Sequence, residues 1–98
     1  LLARNDTLPD VYLNAGVSYI NLALAEEASI KKNKNRTAVK KKQVLNYYKK
    51  ALPYMEKYRA LAPEDKERWA PSLYNIYLKL NMGRKFEEIS DILRKMRN

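Results

Sequence analysis

Apolar residues recur every three to four positions along almost the whole chain, the period of an amphipathic helix. Four segments carry it. From about Pro9 to about Ile30, Tyr12, Ala15, Gly16, Tyr19 and Ala23 fall at helical spacing, with Leu13, Val17, Ile20 and Leu24 on a neighbouring face. Only Asn14, Ser18 and Asn21 form a polar stripe. A helix this apolar expects neighbours on more than one side. Asp6 or Thr7 can cap it, and Pro9 suits its first turn, where a missing N–H costs nothing.

The second segment runs from about Thr37 to about Leu61, with Val44, Tyr47, Tyr48, Ala51, Met55, Tyr58 and Ala62 in the i, i+3, i+4, i+7 pattern. Pro53 lies inside it and predicts a kink, because it removes one backbone hydrogen bond. The third runs from about Glu64 to Leu80, with Pro71 marking a kink or its effective start. The sequence Asn81-Met82-Gly83 reads as a stop, and a fourth helix follows from about Lys85 to Met96. It is one-sided, with Phe86, Ile89, Leu93 and Met96 opposite Glu87, Glu88, Asp91, Arg94 and Lys95. The pattern predicts an all-α domain of antiparallel helix hairpins, about four helices, the first two elongated.

Composition narrows the chemistry. Ninety-eight residues suit one domain spanning 1–98. With no cysteine, disulfide scaffolds and thiolate metal sites are excluded; with no histidine, the commonest general base and metal ligand is missing. The longest apolar stretch, Val11 to Ala25, is too short and too polar to span a bilayer. The start, Leu1-Leu2-Ala3-Arg4, has neither an initiator Met nor a signal peptide and reads as a cut from a longer or processed chain.

An internal spacing appears when the hairpins, at about 9–62 and 64–97, are laid over each other. Tyr12-x2-Ala15-Gly16-x2-Tyr19 resembles the first-helix signature of a tetratricopeptide repeat, and Tyr48-x2-Ala51-x3-Met55-x2-Tyr58, followed by Pro63, resembles the second. Trp69-x2-Ser72-Leu73-x2-Ile76 and Phe86-x2-Ile89-x3-Leu93-x2-Met96 restate the pair, with Ser72-Leu73 where Leu-Gly is usual and Ile89 where Ala is usual. The first hairpin also carries more than twenty extra residues between its signatures. Ala51 to Lys57 and Ala62 to Asp65 are similar to a bacterial subset of the family. The resemblance implies a right-handed superhelix that binds a protein or peptide and needs no cofactor, either in the cytoplasm or in the bacterial cell envelope. It also implies a concave groove lined by the first helix of each hairpin, here Leu13, Val17, Ile20 and Asn21, then Ala70, Tyr74, Tyr77 and Leu78. Where some relatives hold a C-terminal carboxylate with Lys and Asn, this chain is apolar or aromatic apart from Asn14 and Asn21, so a more apolar ligand is expected. The one-sided last helix suits the end of a solenoid. The first helix expects a neighbour against Leu13, Val17, Ile20 and Leu24, from a preceding repeat or from a second copy in a homodimer.

Charge adds a rival. The net charge is +9, and Lys31, Lys32, Lys34, Arg36, Lys40, Lys41 and Lys42 lie within one short run at the tip of the first hairpin. The run is either a patch for nucleic acid or another polyanion, or a solvated tip. No aromatic or Gly-rich loop is interleaved with it. Of the eight tyrosines, Tyr12, Tyr19, Tyr47, Tyr48 and Tyr58 fall at packing spacings, whereas Tyr74 and Tyr77 are candidate groove contacts. The acid pairs Glu26-Glu27, Glu64-Asp65 and Glu87-Glu88 read as surface charge, since neighbours in sequence do not face each other on a helix. No P-loop, nucleophile elbow or metal-ligand spacing occurs, so no catalytic role is expected.

Overall fold

The structure is a computed structural model that describes residues 8–32 and 37–97. It is all-helical over those residues: α1 (Leu8–Lys32), α2 (Thr37–Leu61), α3 (Lys66–Lys79) and α4 (Gly83–Met96). The expected caps Asp6 and Thr7 lie outside the described residues. Helices α1 and α2 pack along each other as a long hairpin, α3 packs on α2 and reaches α1, and α4 folds back on α3. The result is a flat body of 43 × 38 × 20 Å.

The periodic positions become the core. Ala23, Tyr48, Ala51, Met55, Tyr58, Trp69, Leu73, Ile76 and Ile89 are buried in one cluster. Each large apolar side chain among them contributes about 1.5–3 kcal/mol by leaving water. Gly16 is buried where α1 crosses α2: a Cβ there would lie 2.9 Å from Met55 Cε. Both prolines are exposed, and their helices run on through them. Neither therefore marks a break, because on the solvent side the carbonyl left without a donor can bond to water.

The turn between α3 and α4 falls at the expected stop, Asn81-Met82-Gly83. Asn81, not Gly83, takes the left-handed conformation, with φ of 60°. Asn81 N–H donates to Leu78 O at 3.2 Å and Met82 N–H to Tyr77 O at 2.9 Å, the paired bonds of a Schellman cap. Asparagine tolerates this conformation through its short polar side chain. Gly83 is thereby free to open α4, two residues ahead of the expected start.

Polar ties fix the helices to each other. Lys79 Nζ on α3 pairs with Glu27 Oε2 on α1 at 2.7 Å. Tyr48 on α2 lies between them: its hydroxyl donates to Glu27 Oε1 at 3.3 Å and accepts from Asn75 Nδ2 at 3.2 Å. Glu27 thus joins three helices instead of standing as a surface charge. Asp65 accepts from the Tyr58 hydroxyl at 2.9 Å. The Trp69 indole N–H donates to Ala62 O at 3.2 Å, and the Arg59 guanidinium covers the same ring 4.5 Å from its centroid. These bonds clamp the α2–α3 corner.

Candidate functional site

The groove expected between α1 and α3 is only partly on the surface. Val17, Asn21, Tyr74 and Leu78 are exposed, and Leu13 is half-buried against the core. Ile20, Ala70 and Tyr77 are buried instead. Tyr77 retains 2% exposure; its hydroxyl donates to Glu56 Oε2 at 2.7 Å, an oxygen that Lys85 Nζ also reaches at 3.0 Å. Burial first, then the bond to Glu56, pushes this hydroxyl far above the usual tyrosine range. Tyr77 is therefore a tie between α2, α3 and α4 and cannot touch a ligand. Tyr74 keeps its place on the surface, tilted against Phe86 with ring centroids 4.8 Å apart. Leu24 on α1, one helical step from Asn21, is also exposed.

Helix α1 has a second exposed apolar stripe that the sequence reading did not single out. Leu8, Val11 and Leu22 are 57%, 50% and 46% exposed, with half-buried Ala15 between them. Their spacing of three, four and seven residues puts them on one line of the helix. Glu27, which reaches α3, lies on a different side. The stripe therefore faces away from α3, and it is exposed in addition to Val17 and Leu24, whereas Ile20 is buried.

The basic tip is gathered only in part among the described residues. Lys34 and Arg36 lie outside the described residues. Lys31 and Lys32 are exposed at the end of α1. Lys40 donates to Ser29 Oγ across the hairpin at 2.5 Å. Lys41 and Lys42 then point in other directions, as consecutive helical residues must, about 100° apart. Lys31 and Lys41 meet in an open depression of about 350 Å³ with Glu27, Ile30, Leu45 and Lys79, whereas Lys42 lies beside Gln43 and Tyr47.

Cations and aromatics meet farther down α2. An open groove of about 670 Å³ between α1 and α2 is lined by Tyr12, Tyr19, Lys49, Lys50, Pro53, Tyr54 and Lys57. Tyr19 stacks on Tyr54 with centroids 5.9 Å apart and planes 16° apart, and Tyr12 leans on the same ring at 6.3 Å. Lys50 Nζ lies 5.9 Å from the centre of the Tyr19 ring. Tyr12 and Tyr19 are half-buried: they pack against the core and also wall this groove. The signal was in the sequence: Lys42, Lys49, Lys50 and Lys57 recur at seven or eight residues with Tyr47 and Tyr54 between them. Residues 31–61 hold eleven basic residues and one acid, Glu56, a net +10, while the rest of the chain holds nine against ten. None of Lys42, Lys49, Lys50 and Lys57 forms an ion pair among the described residues.

Among the described residues no group of His, Cys, Asp or Glu is arranged to hold a metal ion, and no helix is long and apolar enough to cross a membrane. The half-buried carboxylates Glu27, Glu56 and Asp65 are each bonded to a tyrosine hydroxyl. Compared with protein-family models, with curated proteins and with solved structures, the chain matches none.

Proposed function

We propose that this chain is a non-catalytic interaction module of the bacterial tetratricopeptide-repeat type, which binds another protein or a peptide through exposed apolar residues of its first and third helices. One observation carries the reading. The two ends of the helix stack are unlike: α4 turns Glu87, Glu88, Arg94 and Lys95 to solvent, whereas α1 leaves Val17 and Leu24 exposed on one side and Leu8, Val11 and Leu22 on the other. Apolar surface at one end and charge at the other is what a binding end and a solvent cap require. On this reading Val17, Asn21 and Leu24 form one wall of the groove, and Tyr74 and Leu78 the other. A tyrosine that presents an apolar ring and a polar tip suits a peptide contact. The spacing signatures, and the packing of α1 on both α2 and α3, support the family assignment.

A photo-crosslinking residue in place of Val17, introduced into the protein in its native cells, tests the proposal. A discrete adduct that survives nuclease and is removed by protease is the expected result. The absence of a protein adduct refutes it. The lysines of α2 favour a second reading, an electrostatic module for nucleic acid or another polyanion. A nuclease-sensitive adduct, with binding that falls steeply as salt rises, would establish that reading in its place.

A further inference from the structure

We infer that the face of the first hairpin turned away from α3 receives an amphipathic helix of a partner protein, apolar along one side and acidic along one flank. The inference rests on the interaction-module reading above and adds the chemistry of the partner. Three features of that face meet. One bank is the apolar line of Leu8, Val11, Ala15 and Leu22 on α1. The floor is the cluster of Tyr12, Tyr19 and Tyr54. The other bank is Lys49, Lys50 and Lys57 on α2, without carboxylate partners among the described residues.

The line from Leu8 to Leu22 is about 21 Å long at the helical rise, four turns, so a partner helix of about fifteen residues covers it. Such a helix lays apolar residues at i, i+3, i+4 and i+7 against the α1 bank and the tyrosine rings. Glutamates or aspartates on the flank over α2 then meet the three lysines. Other occupants fit only half of the face. A nucleic acid strand would answer the lysines and leave Leu8, Val11 and Leu22 in water. A second copy would bury the apolar line and bring up another stretch of net +10, since the charge excess is confined to residues 31–61. Like charges brought together in this way oppose pairing.

The test is selection from a displayed library of helical peptides of about twenty residues, apolar along one stripe and randomised on both flanks, against the immobilised 98-residue domain. The inference expects Asp and Glu to be enriched on one flank of the selected peptides. Binding should weaken about tenfold or more in the triple variant Lys49→Gln, Lys50→Gln, Lys57→Gln, and by a similar factor in the pair Val11→Asp, Leu22→Asp. Removing two cations elsewhere, by Lys66→Gln and Arg84→Gln, should leave it unchanged. All these positions are exposed, and far-ultraviolet circular dichroism verifies the helix content of each variant. Peptides without an acidic bias overturn the inference, as does a library that yields no binder. Peptides lost on Val17→Asp but not on changes at Val11 and Leu22 also overturn it, while leaving the module reading in place. If an oligo(dT) strand binds more tightly than the peptides and is lost with the same three lysines, the face is a nucleic acid surface and the inference fails. A library without binders together with a Val17 probe without protein adducts refutes both readings.

Discussion

Replacing Gly16 by alanine probes the point where α1 and α2 come closest. The added methyl would lie 2.9 Å from Met55 Cε, 3.5 Å from Met55 N and 3.6 Å from Tyr54 Cβ. The last two are ordinary contacts. The first is short of the roughly 3.5–4.0 Å at which carbons rest, so the Met55 methyl must retreat by about 0.6–1.1 Å. Met55 is fully buried but flexible, which puts the overpacking cost near the low end of its range, about 1 kcal/mol. Alanine in place of glycine inside a helix gains about 0.8–1.0 kcal/mol. The two effects nearly cancel, so Gly16→Ala should leave stability within a few tenths of a kcal/mol of the parent. Met55→Ala alone should cost about 2–5 kcal/mol. In that background the clash is gone, and Gly16→Ala should now stabilise by about 1 kcal/mol, a shift of about 4–8 °C for a domain of this size. Urea denaturation followed by circular dichroism, with the four proteins in a double-mutant cycle, measures the coupling of about 1 kcal/mol. A gain of equal size in both backgrounds would show that Met55 does not confine Gly16. A loss of several kcal/mol from Gly16→Ala would show that backbone, not a flexible side chain, blocks the site. Gly16→Leu goes further: it should force the helices apart and disorder the Tyr12–Tyr19–Tyr54 groove.

Stability should also fall on the alkaline side. Burial holds the hydroxyls of Tyr48, Tyr58 and Tyr77 above the ordinary value of 10.0, and the bond to Glu27 holds Lys79 above 10.5. The native state keeps these protons while the unfolded chain releases them, so the contribution is complete below pH about 10 and is lost as the pH climbs beyond it. Urea midpoints at pH 8, 10 and 11 should drop over the last interval, less so in Tyr77→Phe; a level profile would contradict the buried hydroxyls. At the α3–α4 turn, Asn81→Gly should stabilise by a few tenths of a kcal/mol, because glycine adopts positive φ freely. Asn81→Val should cost about 1–2 kcal/mol in thermal melts.

The helices were legible because each carries enough turns for its period to stand out. Their ends were read to within two residues. The stop at Asn81-Met82-Gly83 was legible, but not which residue takes the left-handed turn, because asparagine can do there what glycine usually does. The site was less legible, because a period shows which face is apolar and not how many neighbours cover it. Tyr77 and Tyr74 are three apart on one helix, yet Tyr77 lies under α4 with its hydroxyl on Glu56 and Tyr74 lies at the rim. Tyr19 has core spacing, but α1 has no helix beyond it among the described residues, so its ring forms a groove wall. The cluster of Lys49, Lys50 and Lys57 with Tyr54 was less legible than the denser run at residues 31–42, because spacing on α2 does not show that these side chains line one groove with Tyr12 and Tyr19 of α1.

Glu56 carries one more consequence. It is the single acid between residues 31 and 61, and both Tyr77 and Lys85 claim the same one of its oxygens. The stretch from 31 to 61 therefore has no spare acid of its own and must borrow neutrality from its surroundings. In dilute buffer its lysines repel each other, which opposes compaction and also keeps molecules apart. Multivalent anions such as phosphate or sulfate, by gathering on that side, tighten the fold and lower solubility in the same step. The protein behaves there as a short polycation held straight by a helical spine.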